Sequence, residues 1–255
     1  MHATRIAELL APFLASPSAR NQRRATNDAL IHNISTYIDM LRRWNSRVNL
    51  TAIRDEEEIV TRHFGESLFA AIRLFPQSAE QGNVGTAAPG CPSERSSEAA
   101  ATVLARRTSL ADIGSGAGFP GIPIKLWAPQ IALTLIESSQ KKVAFLREIC
   151  RALTLTDIDI FHGRAETLMQ SQEAHPGTSR REVKPVFDVV TLRAVERFDK
   201  ILPTASALLS PQGRLALLIG SSQQPQARSI LTTLTWAEPV PIPRSTMRIL
   251  CIAHR

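Results

Sequence analysis

Asp112-Ile113-Gly114-Ser115-Gly116-Ala117-Gly118-Phe119-Pro120-Gly121 is the stretch on which the reading of this chain turns. It follows a short apolar run, Ser109-Leu110-Ala111, and leads into Ile122-Pro123-Ile124-Lys125-Leu126-Trp127, the start of an amphipathic helix. A strand, a glycine turn and a helix therefore meet here. Glycines at alternate positions let the backbone take positive φ and approach a ligand that a Cβ would hold off. The spacing is not the dinucleotide fingerprint G-x-G-x-x-G. Counted from Gly114 the last glycine falls on Phe119, and counted from Gly116 it is met at Gly121 only with Pro120 just before it.

Asp112, two residues before the first glycine, repels a pyrophosphate but not a cationic ligand such as the sulfonium of S-adenosylmethionine. A glycine-rich turn that binds nothing is the plain alternative. Downstream, strands and helices alternate, which means an α/β fold with a mostly parallel sheet covered on both faces. Strands are expected at 109–113, 132–137, 158–162, 187–192, 214–219 and 247–253, and helices near 123–127, 140–152, 200–209 and 226–234. The last part is different: 236–242 and 247–253, separated by Pro243-Arg244-Ser245-Thr246, read as an antiparallel pair. Such an ending suits nucleoside-cofactor methyltransferases better than dehydrogenases.

Upstream, residues 1–76 read as a helical extension. Leu30, Ile34, Tyr37, Ile38, Leu41, Trp44 and Val48 recur every three or four residues, one apolar stripe on a helix ending near Asn49. Asp55-Glu56-Glu57-Glu58 announces a second helix, because negative charge favours a helix N-terminus. Its apolar face is Ile59, Val60, Phe64, Leu68, Phe69 and Ile72. Between Gln77 and Arg107, Gly, Pro, Ser and Ala interrupt any period, which predicts a linker or insertion ahead of a methyltransferase-type domain over 108–255. A second interrupted stretch runs from Gln170 to Pro185.

With 255 residues the chain suits one large domain or a core with a helical extension. Its net charge of +7, mostly arginine, fits a polyanionic partner and supplies bidentate phosphate donors. Cys91, Cys150 and Cys251 are widely spaced and form no C-x-x-C, so neither a disulfide framework nor a metal site is indicated. The apolar run 6–14 carries Glu8 and Pro12 and is too short for a membrane span. The cytoplasm is the default expectation, with no membrane partner.

Glu137 closes the second strand, 23 residues after Gly114, where a carboxylate can accept hydrogen bonds from both ribose hydroxyls of an adenosine cofactor. After the third strand comes Gly163-Arg164-Ala165-Glu166, and after the fourth Leu192-Arg193-Ala194-Val195. Both lie at carboxyl ends of parallel strands, where open α/β sheets bind ligands. Ala165 and Glu166 can hold an adenine edge, and Arg193 faces the approach of the substrate. The competing readings are a solvated Glu137, a helix-capping Glu166 and a surface Arg193.

The run 110–127, Leu135-Ile136-Glu137-Ser138, Lys141-Lys142-Val143-Ala144-Phe145-Leu146, Gly163-Arg164-Ala165-Glu166 and Arg193-Ala194 resemble the bacterial small-subunit rRNA guanine-N7 methyltransferases, also called glucose-inhibited division protein B. Trp44-Asn45-Ser46-Arg47-Val48-Asn49-Leu50-Thr51 and Arg62-His63-Phe64-Gly65-Glu66-Ser67-Leu68 match that family's N-terminal segments. The resemblance implies a class I, Rossmann-like methyltransferase fold with S-adenosylmethionine held by Gly114, Phe119, Ala165, Glu166 and Arg193. It also implies a guanosine of 16S rRNA near the decoding centre as substrate, in free rRNA or the small ribosomal subunit, with a monomer as the default. Arg62 and His63 become candidates for contact with RNA, against the plainer readings of a surface arginine and a polar residue at the domain junction. Two features depart from the family pattern: the insertion is longer, and Glu66 stands where aspartate is common.

Guanine N7 carries a lone pair and no proton, so its attack on a sulfonium methyl needs positioning rather than a general base. No catalytic base is therefore assigned. The Asn/Asp-Pro-Pro-aromatic motif of adenine-N6 enzymes is absent after the fourth strand, and no cysteine is placed for attack on cytosine. A small-molecule methyltransferase, a non-catalytic RNA-binding assembly factor and a nicotinamide-dependent oxidoreductase remain as alternatives.

Overall fold

Apolar residues that alternate along β1 (Ser109–Ile113) and β4 (Phe187–Arg193) are buried on both sides of the sheet. Leu110 and Val189 face one core, while Ala111, Ile113, Val190 and Leu192 face the other. This is what a strand covered by helices above and below requires. The computed structural model describes residues 1–15, 28–76, 107–170, 186–195 and 197–255. The expected insertion, except Arg107, and the stretch after Gln170 lie outside the described residues, as does Cys91.

Among the described residues the sheet runs β3-β2-β1-β4-β5-β8-β6, with β2 at Ala132–Glu137, β3 at Ile158–His162, β5 at Leu209–Gly220, β6 at Thr235–Trp236 and β8 at Arg248–His254. Strands β3, β2, β1, β4 and β5 are parallel; β8 is antiparallel to β5, and both β6 and β7 (Val240–Pro241) are antiparallel to β8. The chain order reverses beside β1, so the ligand-binding crevice of such a sheet lies at its carboxyl end. Several boundaries moved: β8 runs one residue later than expected, and the expected strand 236–242 is reduced to the two-residue strands β6 and β7. Strand β4 includes Arg193, one residue beyond the expected end. Strand β5 begins at Leu209 although Pro211-Gln212-Gly213 reads as a turn, because its pairing with β4 shifts register between Phe187 and Val189 and absorbs that segment as an irregularity.

Helices α5 (Gly121–Trp127) and α6 (Gln140–Ala152) cover one face; α7 (Ala165–Gln170), α8 (Phe198–Ala207) and α9 (Gln224–Ile230) pack on the other. The N-terminal helices join the first layer: Ile6, Leu10, Tyr37, Leu41, Phe64 and Leu68 share one apolar core with Leu110, Ile122, Leu135 and Phe145. Sequence periodicity left open whether this unit packs or extends; it packs. Helix α1 (Ala3–Leu14) buries Ile6, Leu9, Leu10 and Phe13 at helical spacing, in agreement with a helical reading of residues 1–76. Helix α2 (Asp28–Asn45) stops four residues before the expected Asn49. Asn45 ends it: Oδ1 accepts from Leu50 N at 2.8 Å and Thr51 N at 3.0 Å, while Nδ2 donates to Thr51 O, folding the chain back.

The acidic run starts a helix as expected, with Asp55 accepting from Glu58 N at 2.8 Å. After α3 (Glu56–Glu58), residues Ile59–Gly65 widen into a π-helix before α4 (Glu66–Leu74) resumes the α ladder. Such widened turns recur at functional sites. Tyr37 joins this layer to the glycine turn, its buried Oη donating to Ala117 O at 2.5 Å. Tyr37→Phe leaves that carbonyl buried and unpaired, at a cost of about 1–3 kcal/mol. Urea titration is expected to show the loss with unchanged far-UV circular dichroism; equal stability of the variant would show that the bond does not anchor the turn.

Candidate active site

Gly114, Gly116 and Gly118 all have positive φ, at 69°, 58° and 87°. A Cβ on Gly114 would come within 2.6 Å of Val195 Cγ1, and one on Gly118 would collide with Tyr37 Oη. The turn is stitched to β2 by Gly114 N and Ser115 N, which donate to Ile136 O at 2.9 and 3.1 Å. Asp112 holds its two ends: Oδ1 accepts from Thr191 Oγ1 at 2.8 Å, and Oδ2 accepts from Gly121 N at 3.1 Å. That carboxyl is fully buried, and burial, opposed by these hydrogen bonds, pushes its pKa up to about 6. Asp112 is thus a clamp inside the turn, and the expected repulsion of a pyrophosphate by it does not arise from this position.

Glu137 ends β2 with Oε2 accepting from Gly116 N at 2.9 Å and Oε1 from Ser139 N at 2.7 Å. Each oxygen keeps a lone pair for a further donor. Beside it opens a cavity of about 280 Å³ lined by Gly114, Ile136, Glu137, Ser138, Gly163, Arg164, Ala165, Glu166, Val195, Arg197, Lys200 and Ile201. Gly114, Glu137, Ala165 and Glu166 are therefore brought together, with Gly116 behind them as the support of Glu137. The buried Ala165 and exposed Glu166 form the first turn of α7.

Phe119 and Arg193 do not line that cavity. The Phe119 ring stacks between Tyr37, at 5.3 Å and 13°, and His63, at 4.6 Å and 14°, with Phe64 edge-on at 5.1 Å. An apolar ring gains more from this aromatic slot than from an open crevice. Arg193 is 8% exposed; its Nη2 donates to Arg62 O at 2.7 Å and lies 3.4 Å from Glu66 Oε2. Burial lowers its pKa to about 10 despite Glu66.

The two RNA candidates part company as well. Arg62 is half-exposed and pairs with Glu58 at 3.2 Å and Glu66 at 3.7 Å. His63 turns inward, its Nε2 sharing a 2.8 Å hydrogen bond with Thr51 Oγ1. Burial first, then Arg193, Arg62 and Arg248, lower its pKa to about 3, so the imidazole is neutral at pH 7. Glu66, 2% exposed, gathers Arg62, Arg193 and Arg248. Burial raises its pKa while these arginines oppose the rise.

Lys200, Arg197 and Arg248 escaped the sequence reading. Lys200 and Arg197 sit at the start of α8, where only the fold reveals that they return to the cavity. Arg248 had a usable signal: the first residue of a strand antiparallel to β5 lies at the carboxyl edge, and Arg248 pairs with Gly220 there.

Three features now stand together: parallel strands with an antiparallel end, a glycine turn after β1, and an acidic residue closing β2 against that turn. They define a class I S-adenosylmethionine-dependent methyltransferase. The model of the family described as rRNA small subunit methyltransferase G matches residues 30–93 and 96–239, and the chain belongs to that family. Relatives bearing the name ribosomal RNA small subunit methyltransferase G include that of Roseiflexus sp. (strain RS-1), 36% identical, covering 87% of this chain and 82% of the relative. That of Bacillus pumilus is 30% identical over 82% of this chain and 73% of the relative. That of Streptococcus agalactiae serotype Ia is 32% identical over 78% and 70%. The chain is an S-adenosylmethionine-dependent rRNA methyltransferase, which sets aside the nicotinamide-dependent and small-molecule alternatives. Among the described residues no helix is long and apolar enough to cross a membrane.

Two outcomes follow from this geometry. Gly114→Ala meets Val195 and adds backbone strain of about 1–3 kcal/mol. It is expected to weaken S-adenosylhomocysteine binding tenfold or more by calorimetry, and unaltered affinity would remove Gly114 from the site. His63 has a depressed folded pKa, so its stabilising contribution is present above about pH 6.5 and is lost as pH falls toward 3. Asp112 titrates in an overlapping range with the opposite sign, so the comparison is between variant and parent. Thermal melts from pH 7 to 4 are expected to fall less steeply for His63→Gln than for the parent; equal slopes would show that His63 is not held neutral.

Proposed function

We propose that the protein transfers the methyl group of S-adenosylmethionine to N7 of a guanosine in 16S rRNA near the decoding centre. The observation that supports the choice of N7 is that neither His63 nor Asp112 is free to take a proton from a substrate, while Glu137 and Glu166 are given to the cofactor in this reading. His63 is neutral but stacked inward on Phe119 and hydrogen-bonded to Thr51, and Asp112 is sealed between Thr191 and Gly121. Guanine N7 needs no base. Cytosine C5 chemistry would need a thiolate, yet Cys150 and Cys251 are buried, and burial pushes both thiols up to about 11.

In this reading Glu137 receives the ribose hydroxyls, and Gly116 N–H keeps its carboxylate turned toward them. Gly114 lets the backbone lie against the cofactor, and Ala165 and Glu166 hold the adenine edge. Phe119 acts through the shape of the turn, and Arg193 stands where the guanosine approaches. The cofactor supplies an electrophilic methyl group; the protein supplies alignment and exclusion of water. The substrate is rRNA, free or within the small ribosomal subunit, met by a monomer in the cytoplasm.

Incubation of the protein with methyl-labelled cofactor and small subunits or 16S rRNA lacking this modification is expected to leave label in 7-methylguanosine. Label in another nucleoside would overturn N7. RNA binding without any transfer would select the non-catalytic assembly factor instead.

A further inference from the structure

Three guanidinium groups converge on one buried carboxylate beside the cofactor cavity. Arg62 comes from the π-helix Ile59–Gly65, Arg193 from the end of β4 and Arg248 from the start of β8. Their nitrogens lie 3.7, 3.4 and 2.9 Å from Glu66 oxygens. Other carboxylates do not balance them. Glu58 meets Arg62 only on its exposed side, and Asp112 is committed to Thr191 and Gly121. Glu66 alone thus faces both Arg193 and Arg248, through the same Oε2.

Their donors are not all used. Arg193 spends Nη2 on Arg62 O, but Arg248 Nε and Nη2 have no hydrogen-bond acceptor, although Nη2 is ion-paired with Glu66. A guanidinium offers five N–H donors in a planar fork matched to phosphate oxygens. Arg248 Nε and Nη2 are buried donors without an acceptor, while the side chains of Arg248 and Arg62 as a whole are 20% and 44% exposed, so the cluster has an open side. Holding like charges together around one carboxylate costs energy that a structural network would avoid by adding a second acid. A bound anion would supply the missing negative charge.

The position narrows the anion. Ile113 pairs with Leu192, Arg193 with Leu218 and Gly220 with Arg248, so Gly114, Arg193 and Arg248 follow one another along the carboxyl edge. Strand spacing puts β8 about 14 Å from β1, a span of one or two nucleotides. None of the three arginines lines the cofactor cavity. We propose that Arg62, Arg193 and Arg248, gathered by Glu66, bind a backbone phosphate of the RNA strand that carries the target guanosine, with Arg248 as the principal phosphate contact. The proposal rests on the rRNA reading above. Glu66 is a positioning residue: it keeps three cations in one place and turned to one side.

Arg248→Gln tests this, with calorimetric S-adenosylhomocysteine binding as one arm and salt-dependent binding of unmodified 16S rRNA as the other. The expected result is cofactor affinity within twofold of the parent and KM for RNA raised about tenfold. The plot of log affinity against log salt should lose about 0.7–1 of its slope, the signature of one phosphate contact. Arg248→Lys, which keeps the charge and loses the fork, should keep the slope with intermediate affinity. Unchanged RNA affinity and slope in Arg248→Gln would overturn the proposal while leaving the rRNA reading intact. Weakened cofactor binding with unchanged RNA binding would assign the cluster to the cofactor's carboxylate instead. Absence of RNA binding by the parent protein would defeat the reading and the proposal together.

Discussion

The carboxylate of Glu137, held between the amides of Gly116 and Ser139, is the contact on which the active site depends. One side chain joins the end of β2 to the middle of the glycine turn, fixing the turn's position relative to the cavity floor. Both bonds are charge-assisted, roughly twice as strong as neutral ones. They also set the carboxylate's orientation before any ligand arrives, so no rotamer entropy is lost on binding. The positive φ at Gly116 permits this arrangement, because its N–H must point back at β2.

A second set of constraints reaches the same turn from the opposite side. Tyr37 anchors Ala117, and the rings of Tyr37, Phe119 and His63 form a stack that fills the space between the N-terminal helices and the turn. Helix α2 and the π-helix are therefore part of what fixes the glycine turn. Through Arg62 O and Glu66 the same layer grips Arg193 at the end of β4. The glycine turn and the end of β4 are thus both held against this helical layer. At this junction His63 and Asp112 are already committed, His63 to Thr51 and Phe119 and Asp112 to Thr191 and Gly121.

Much of this was legible in the residues. The apolar pattern of β1, β2 and β3 gave their bounds outright, from the largely buried runs of β1 and β2 and from the alternating half-buried and exposed positions that begin the edge strand β3. Glu137 and Gly114 were legible because strand-end position alone brings them together. The surroundings of Phe119 and Arg193 were not, for one shared reason: their partners Tyr37, His63, Arg62 and Glu66 lie 56–131 residues away in sequence, in helices whose docking no local pattern specifies. The early stop of α2 was hidden in a similar way, since Asn45 breaks the helix by side-chain bonds to Leu50 and Thr51 rather than by a glycine or proline. The π-helical widening at Ile59–Gly65 left no trace in the apolar period that announced the helix.

The most direct measurement is a crystal structure of the protein with S-adenosylhomocysteine. Ribose hydroxyls on the Glu137 carboxylate, with adenine against Ala165 and Glu166, are the expected result. A nucleoside bound elsewhere, or a ribose out of hydrogen-bond reach of Glu137, would contradict the site described for this chain.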